Sequence, residues 1–98
     1  MFLQKTKKFD KWLRKLNDMT AKVRILARIR AIELDDHWGD YKQLAPNLRE
    51  LRIDISKGYR IYIQVITTDE GVILEAGTKS GQQNQIKEIK KGLRNGNK

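Results

Sequence analysis

The sequence predicts an α+β domain: an antiparallel sheet with an N-terminal αα-hairpin packed on one face, followed by a C-terminal helix. Three observations predict it. Apolar residues recur at helical spacing in two adjacent stretches near the N-terminus, the period switches to two after about residue 50, and helical spacing returns near the end. The chain has 98 residues, the size of one domain with one core, and contains neither an internal repeat nor a linker. It is read as a single domain, 1–98.

Met1–Gln4 is a short apolar start that suits a strand. Thr6 reads as an N-cap, because its hydroxyl can accept from the free amides of a first helical turn. Phe9, Leu13 and Leu16 then fall on one helical face, flanked by Trp12, and define a helix over 7–16 that Asn17-Asp18 ends. Thr20 reads as a second N-cap, with Ile25, Leu26, Ile29 and Ile32 at helical spacing to about Leu34. The two helices form an αα-hairpin. Asp36–Tyr41 is polar and turn-like, and Pro46-Asn47 breaks the chain again. Leu51, Ile53 and Ile55 alternate with Glu50, Arg52 and Asp54, a strand with one wet face. Ser56-Lys57-Gly58 is a turn with glycine available for positive φ. Tyr59, Ile61, Ile63 and Val65 alternate with Arg60, Tyr62 and Gln64, and Val72–Ala76 follows as a third strand of the meander. Ile86, Ile89 and Leu93 mark a final helix over 82–94, with Asn95–Lys98 expected to fray. The predicted order is β-α-α-β-β-β-α.

The net charge is +9 and is unevenly spread. Residues 1–34 carry ten Lys and Arg against three acids, residues 35–75 five against eight, and residues 76–98 six against one. Basic ends around an acidic middle favour a polyanion or an acidic protein as partner. The absence of cysteine excludes a disulfide framework and a thiolate metal site. No run approaches the roughly 18 apolar residues of a membrane span. The first eight residues, with apolar side chains before the charges, do not read as a signal peptide. A cytoplasmic protein without a membrane partner is the expectation.

Strand alternation locates the candidate site. If Leu51, Ile53, Ile61 and Ile63 pack beneath the helices through Leu13, Ile25 and Ile29, the opposite face displays Arg52, Arg60 and Tyr62. That face is expected to be open, basic and aromatic. Single arginines on strands are commonly solvated; two with a tyrosine on adjacent strands form a surface suited to nucleic acid. His37, alone in its loop, reads as a surface residue. Asp35, Asp36 and Asp40 match no calcium-loop spacing, so neither a metal nor a cofactor is expected.

Five segments in register carry a family resemblance: Phe9-Asp-Lys-Trp-Leu13, Ala27-Arg-Ile-Arg30 with Glu33-Leu34, Glu50-Leu-Arg-Ile-Asp54, Gly58-Tyr-Arg-Ile-Tyr62, and Gly77-Thr-Lys-Ser80 before a Gln-rich helix start. Over nearly the whole chain this pattern resembles the RelE/ParE superfamily of type II toxins, in the HigB-like branch that includes phage-derived Gp49-like proteins. The resemblance implies a RelE-like fold, ribosome-dependent mRNA endonuclease activity, and a cognate antitoxin, HigA-like and DNA-binding, as partner beside the ribosome and mRNA. It matches Arg60 to the arginine used on the scissile phosphate and Lys79 to the basic position after the last strand.

The chemistry agrees. An RNA 2′-hydroxyl can attack its neighbouring phosphate if the backbone is held in line, the added charge is stabilised and two protons move. Arginine binds phosphate oxygens through its planar fork, and lysine offsets charge or transfers a proton. The candidate catalytic residues are Arg60, Lys79, Arg52 and Glu50. Glu50 is the first candidate for general base and Lys79 the second. Tyr62 is the candidate for base stacking, with Arg24, Arg28 and Lys87 as further RNA-binding residues. Thr78 stands where family members carry an acid, so any role of that carboxylate is absent here. Two alternatives remain open from sequence: a ParE-like gyrase inhibitor without nuclease chemistry, and a non-toxic basic nucleic-acid-binding module.

Overall fold

Thr6 ends one element and opens the next: its hydroxyl accepts from the Phe9 amide at 3.1 Å. In the computed structural model, which describes residues 1–96, strand β1 (Phe2–Lys5) precedes this cap and helix α1 (Lys7–Lys15) follows it. Helix α2 spans Met19–Asp35. Its cap is Asp18, not the expected Thr20; the Asp18 carboxylate accepts from the Ala21 amide at 3.0 Å. Aspartate is the somewhat better cap acceptor, and capping from Asp18 starts the helix nearer to α1.

Four further strands follow: β2 (Tyr41–Ala45), β3 (Leu48–Ile53), β4 (Tyr59–Val65) and β5 (Glu70–Thr78). A single 3₁₀ turn, Lys79–Gly81, leads into helix α3 (Gln82–Gly96). Of the segment expected to fray, Asn95 and Gly96 belong to α3, and Asn97-Lys98 lies outside the described residues.

The strands form one five-stranded sheet in the order β1-β5-β4-β3-β2. It is antiparallel except at one edge, where β1 runs parallel to β5. Strand β2 was not expected. Its first three residues are all exposed, so no apolar alternation announces it; pairing of Tyr41 with Leu51 and Lys42 with Glu50 makes it a strand.

The hairpin packs as predicted. Leu51, Ile61 and Ile63 are fully buried and Ile53 nearly so, against Ile25, Ile29, Ile32 and Phe9, with Leu13 and Trp12 at the margin. The other face is not open. Helix α3 lies across it, and Ile86, Ile89 and Leu93 close a second core with Leu44, Leu48, Tyr62 and Leu74. The fold therefore has three layers, α1–α2, sheet and α3, and β4 is buried on both faces. Residues alternating with the first core do not form the expected wet surface, because the apolar stripe of α3 needs that face for burial.

Candidate active site at the end of the sheet

The β3–β4 register sets opposite side chains against each other: Glu50 faces Tyr62 and Arg52 faces Arg60. On the far side of β4, Arg60 stands opposite Gly77 and Tyr62 opposite Glu75. Two-residue periodicity then puts Glu50, Arg52, Arg60 and Tyr62 on the α3 face, at the end where the Ser56–Gly58 turn closes the hairpin. Gly58 adopts φ +75°, which favours glycine. A Cβ there would stand 3.3 Å from the Lys79 Cβ and 3.9 Å from an Arg60 terminal nitrogen. The Lys79 amide donates to the Gly58 carbonyl at 2.8 Å, so the start of the 3₁₀ turn is fastened to the β3–β4 turn. Arg60 and Lys79 thus border the same glycine.

Glu50 has no exposed surface. Arg52 Nε donates to one of its oxygens at 3.2 Å and Gln82 Nε2 to the other at 2.7 Å. A buried carboxylate is tolerated because both oxygens are engaged by a cation and an amide. Gln82, the first residue of α3, was missed from sequence; the Gln-rich start after Ser80 was its only signal. Gly77 lets α3 approach, since a Cβ on it would collide with the Gln85 side-chain amide. That amide donates to Glu75 Oε1 at 3.0 Å and to the Ala76 carbonyl at 2.9 Å.

Arg60 is 4% exposed, not projecting from a wet face as expected. Its Nη1 donates to the Tyr59 carbonyl at 2.9 Å and to Asp54 Oδ1 at 3.1 Å. Its Nε is enclosed without a partner, and so is the Tyr62 hydroxyl. Glu50 is close enough to the Tyr62 hydroxyl to act on it electrostatically, but the geometry makes no hydrogen bond. Burial, with the nearby Glu50 charge, pushes the Tyr62 phenol well above its ordinary value. Each unpaired buried group costs about 1–3 kcal/mol, and both lie on one face of β4. Asp54 and Lys57, neither of them a site candidate from sequence, line a shallow opening with Ser56, Gly58 and Lys79.

The stacking expected of Tyr62 is not available to it: a ring fully enclosed between sheet and α3 offers no face to a base. Arg28 also has a different task. Its guanidinium donates to the carbonyls of Arg52, Trp38 and Asp40, each at 2.8 Å, clamping the α2–β2 loop to β3. Burial lowers its pKa, with Asp40 opposing. Arg24 is exposed and lines a groove with Arg28, Arg52 and Asp54, adjacent to the cluster. Lys87 is exposed on the solvent side of α3, and none of these side chains reaches it. His37 is exposed. Among the described residues, no group of His, Cys, Asp or Glu is placed to hold a metal ion, and no helix is long and apolar enough to cross a membrane.

The arrangement offers a buried carboxylate bridged to one arginine, a second arginine with an unengaged Nε, and a lysine, around one turn. Such a set can hold a phosphodiester and offset charge on it through Arg52 and Lys79. Glu50, enclosed with both oxygens engaged, orients Arg52 and is not placed to act as the expected base toward a substrate.

Known proteins share this architecture. A mutant of the E. coli toxin RelE in the free state superposes with a TM-score of 0.65 at 19% identity, covering 89% of this chain and 90% of that one. A chain of the intact E. coli RelBE toxin–antitoxin complex gives 0.64 at 22% identity, over 79% of this chain and 94% of that one. These likenesses establish a RelE-like fold. An uncharacterized protein of Haemophilus influenzae is 38% identical over 88 residues, 90% of this chain and 88% of its own length. Residues 11–96 match the family described as phage derived protein Gp49-like (DUF891), and the chain belongs to that family.

Proposed function

We propose that this chain is the toxin of a type II toxin–antitoxin pair, and that it cleaves mRNA in a ribosome-dependent reaction in the cytoplasm. The observation that carries the reading is the junction of Glu50, Arg52, Arg60 and Lys79 at the β3–β4 turn. Arg60 there keeps an enclosed Nε free of any partner. The RelE-like fold supports it, one of the similar structures being a toxin–antitoxin complex. The partner in this reading is a cognate antitoxin, HigA-like and DNA-binding.

In the proposed mechanism the 2′-hydroxyl attacks the adjacent phosphorus and gives its proton to water, while Glu50 holds Arg52 in place. The 2′-oxygen–phosphorus bond forms and the bond to the 5′-oxygen breaks, with Lys79 supplying the leaving oxygen's proton. The products are a 2′,3′-cyclic phosphate and a free 5′-hydroxyl. Arg60 and Arg52 stabilise the charge that develops on the non-bridging oxygens, where the guanidinium fork is worth most. Arg24, at the margin of the groove beside Arg52, contacts flanking phosphates.

Expression of the chain alone, followed by mapping of 5′ ends on a translated message, tests the reading. Growth arrest with new cuts inside translated codons is expected. Growth arrest with intact mRNA and stalled gyrase would transfer the chain to the gyrase-inhibitor class.

A further inference from the structure

Helix α2 is apolar on two sides. Its inner side, Ala21, Ile25, Ile29 and Ile32, is buried in the first core. Its outer side carries Met19, Val23, Leu26 and Leu34, which are 65%, 62%, 45% and 66% exposed. These four recur at spacings of four, three and eight residues, one continuous stripe on the face turned from the sheet. Leu26 was expected to join the buried set; its place on the helix turns it outward. A helix apolar all round is ordinarily covered all round, and aligned exposed apolar side chains mark an interaction surface. Arg30 lies within the stripe and is exposed, while Lys22 and Arg24 flank it on either side. The acid at its border, Glu33, is engaged by Lys5 at 3.3 Å.

We infer that the outer face of α2 is the docking surface for an acidic amphipathic helix of a partner protein, the antitoxin under the reading above, on which this inference rests. Charge decides between occupants. A second copy would set Arg30 and its basic flanks against their own likeness on a +9 chain, which opposes association. A nucleic acid would satisfy the flanking cations but leave the four apolar side chains wet. A helix with apolar residues at i, i+3 or i+4 and i+7, edged by Asp and Glu, satisfies both. The surface lies on the opposite layer of the fold from α3 and from the Glu50–Arg52 pair. A partner seated there leaves that cluster uncovered.

The test uses the purified product of the adjacent reading frame and three variants of this chain: Val23→Glu with Leu26→Glu, Arg30→Glu, and Leu34→Glu. All substituted side chains are exposed, so melting curves should superpose on wild type. The double variant should bind at least 100-fold more weakly. Arg30→Glu should lose about tenfold in low salt and less in 0.5 M salt. Hydrogen exchange should slow on α2 in the complex, and mRNA cleavage by the uncomplexed variants should be unchanged. Binding undiminished in the double variant, in a chain that still cuts mRNA, overturns the surface and leaves the toxin reading standing. No binding by the wild type overturns both the surface and the antitoxin. Concentration-dependent dimers of wild type that vanish in the double variant would assign the face to a second copy instead.

Discussion

Tyr62 and Glu50 are neighbours across two strands, and each is fully enclosed although each carries a polar group. For Tyr62 the consequence is a pH dependence with a definite sign. Its pKa is raised by burial, so the fold favours the neutral phenol. The stability it contributes is complete below the ordinary tyrosine value of about 10 and is lost as pH rises beyond it. Tyr62→Phe should therefore match wild type within about 1 kcal/mol at neutral pH, since the hydroxyl has no partner to lose. It should also flatten the alkaline limb of the melting temperature against pH. It should leave cleavage unaltered, because the enclosed hydroxyl takes no part in it. Glu50→Gln preserves shape but removes the charge that orients Arg52, and should cost roughly 10²-fold in cleavage. Alternation placed Glu50, Arg52, Arg60 and Tyr62 on one face correctly. Their burial was not legible, because period two states which residues share a face and not what covers that face.

Elements with a strong repeat were read closely from sequence. The spacing of Phe9 and Leu13, and of Ile25, Ile29 and Ile32, gave both helices to within a turn, and Tyr59–Val65 emerged with its bounds. Strand β2 escaped because backbone pairing alone defines it, and α2 began early because Asp18 outcompeted Thr20 as cap. That cap carries its own prediction. Hydrogen bonds from Ala21, and then from Ser56, Tyr59 and Thr20, hold the Asp18 carboxyl below its usual range. The stabilisation is present above pH 4 and lost as pH falls through the lowered value. Asp18→Ala should lower the melting temperature at pH 7, with the difference shrinking in acid. Arg28 ties α2 to two other segments, and Arg28→Met should cost on the order of 2 kcal/mol by stranding the carbonyls of Arg52 and Trp38, while that of Asp40 keeps the Arg52 amide. Helix α3 depends on its second core, and Ile89→Ala should destabilise by about 2–4 kcal/mol.

The whole molecule is a sheet covered on both sides, whose three layers meet a strongly positive surface. Charge was legible at once, since it requires only counting. The three-layer arrangement was not, because nothing in the spacing of Ile86, Ile89 and Leu93 states which surface they seek. Gln82 and Asp54 joined the site for the same reason: they are brought there by α3 and by the hairpin end, not by sequence proximity. If Arg52, Arg60, Lys57 and Lys79 engage about four phosphates of a single strand, affinity should fall roughly 50-fold between 50 and 200 mM salt. Lys57→Ala should reduce the logarithmic slope by about 0.7.

Arg60 joins these scales, being a buried residue at a hairpin end in a cationic site. Cleavage of ribosome-bound mRNA by wild type, Arg60→Ala and Arg60→Lys, with thermal melting as the folding control, tests the central claim most directly. Arg60→Ala should remain folded and lose roughly 10² to 10³ in rate, or about 2–4 kcal/mol of transition-state stabilisation. Arg60→Lys should recover only part, because a point charge cannot reproduce the fork. A folded Arg60→Ala protein that cuts at the wild-type rate would contradict the account.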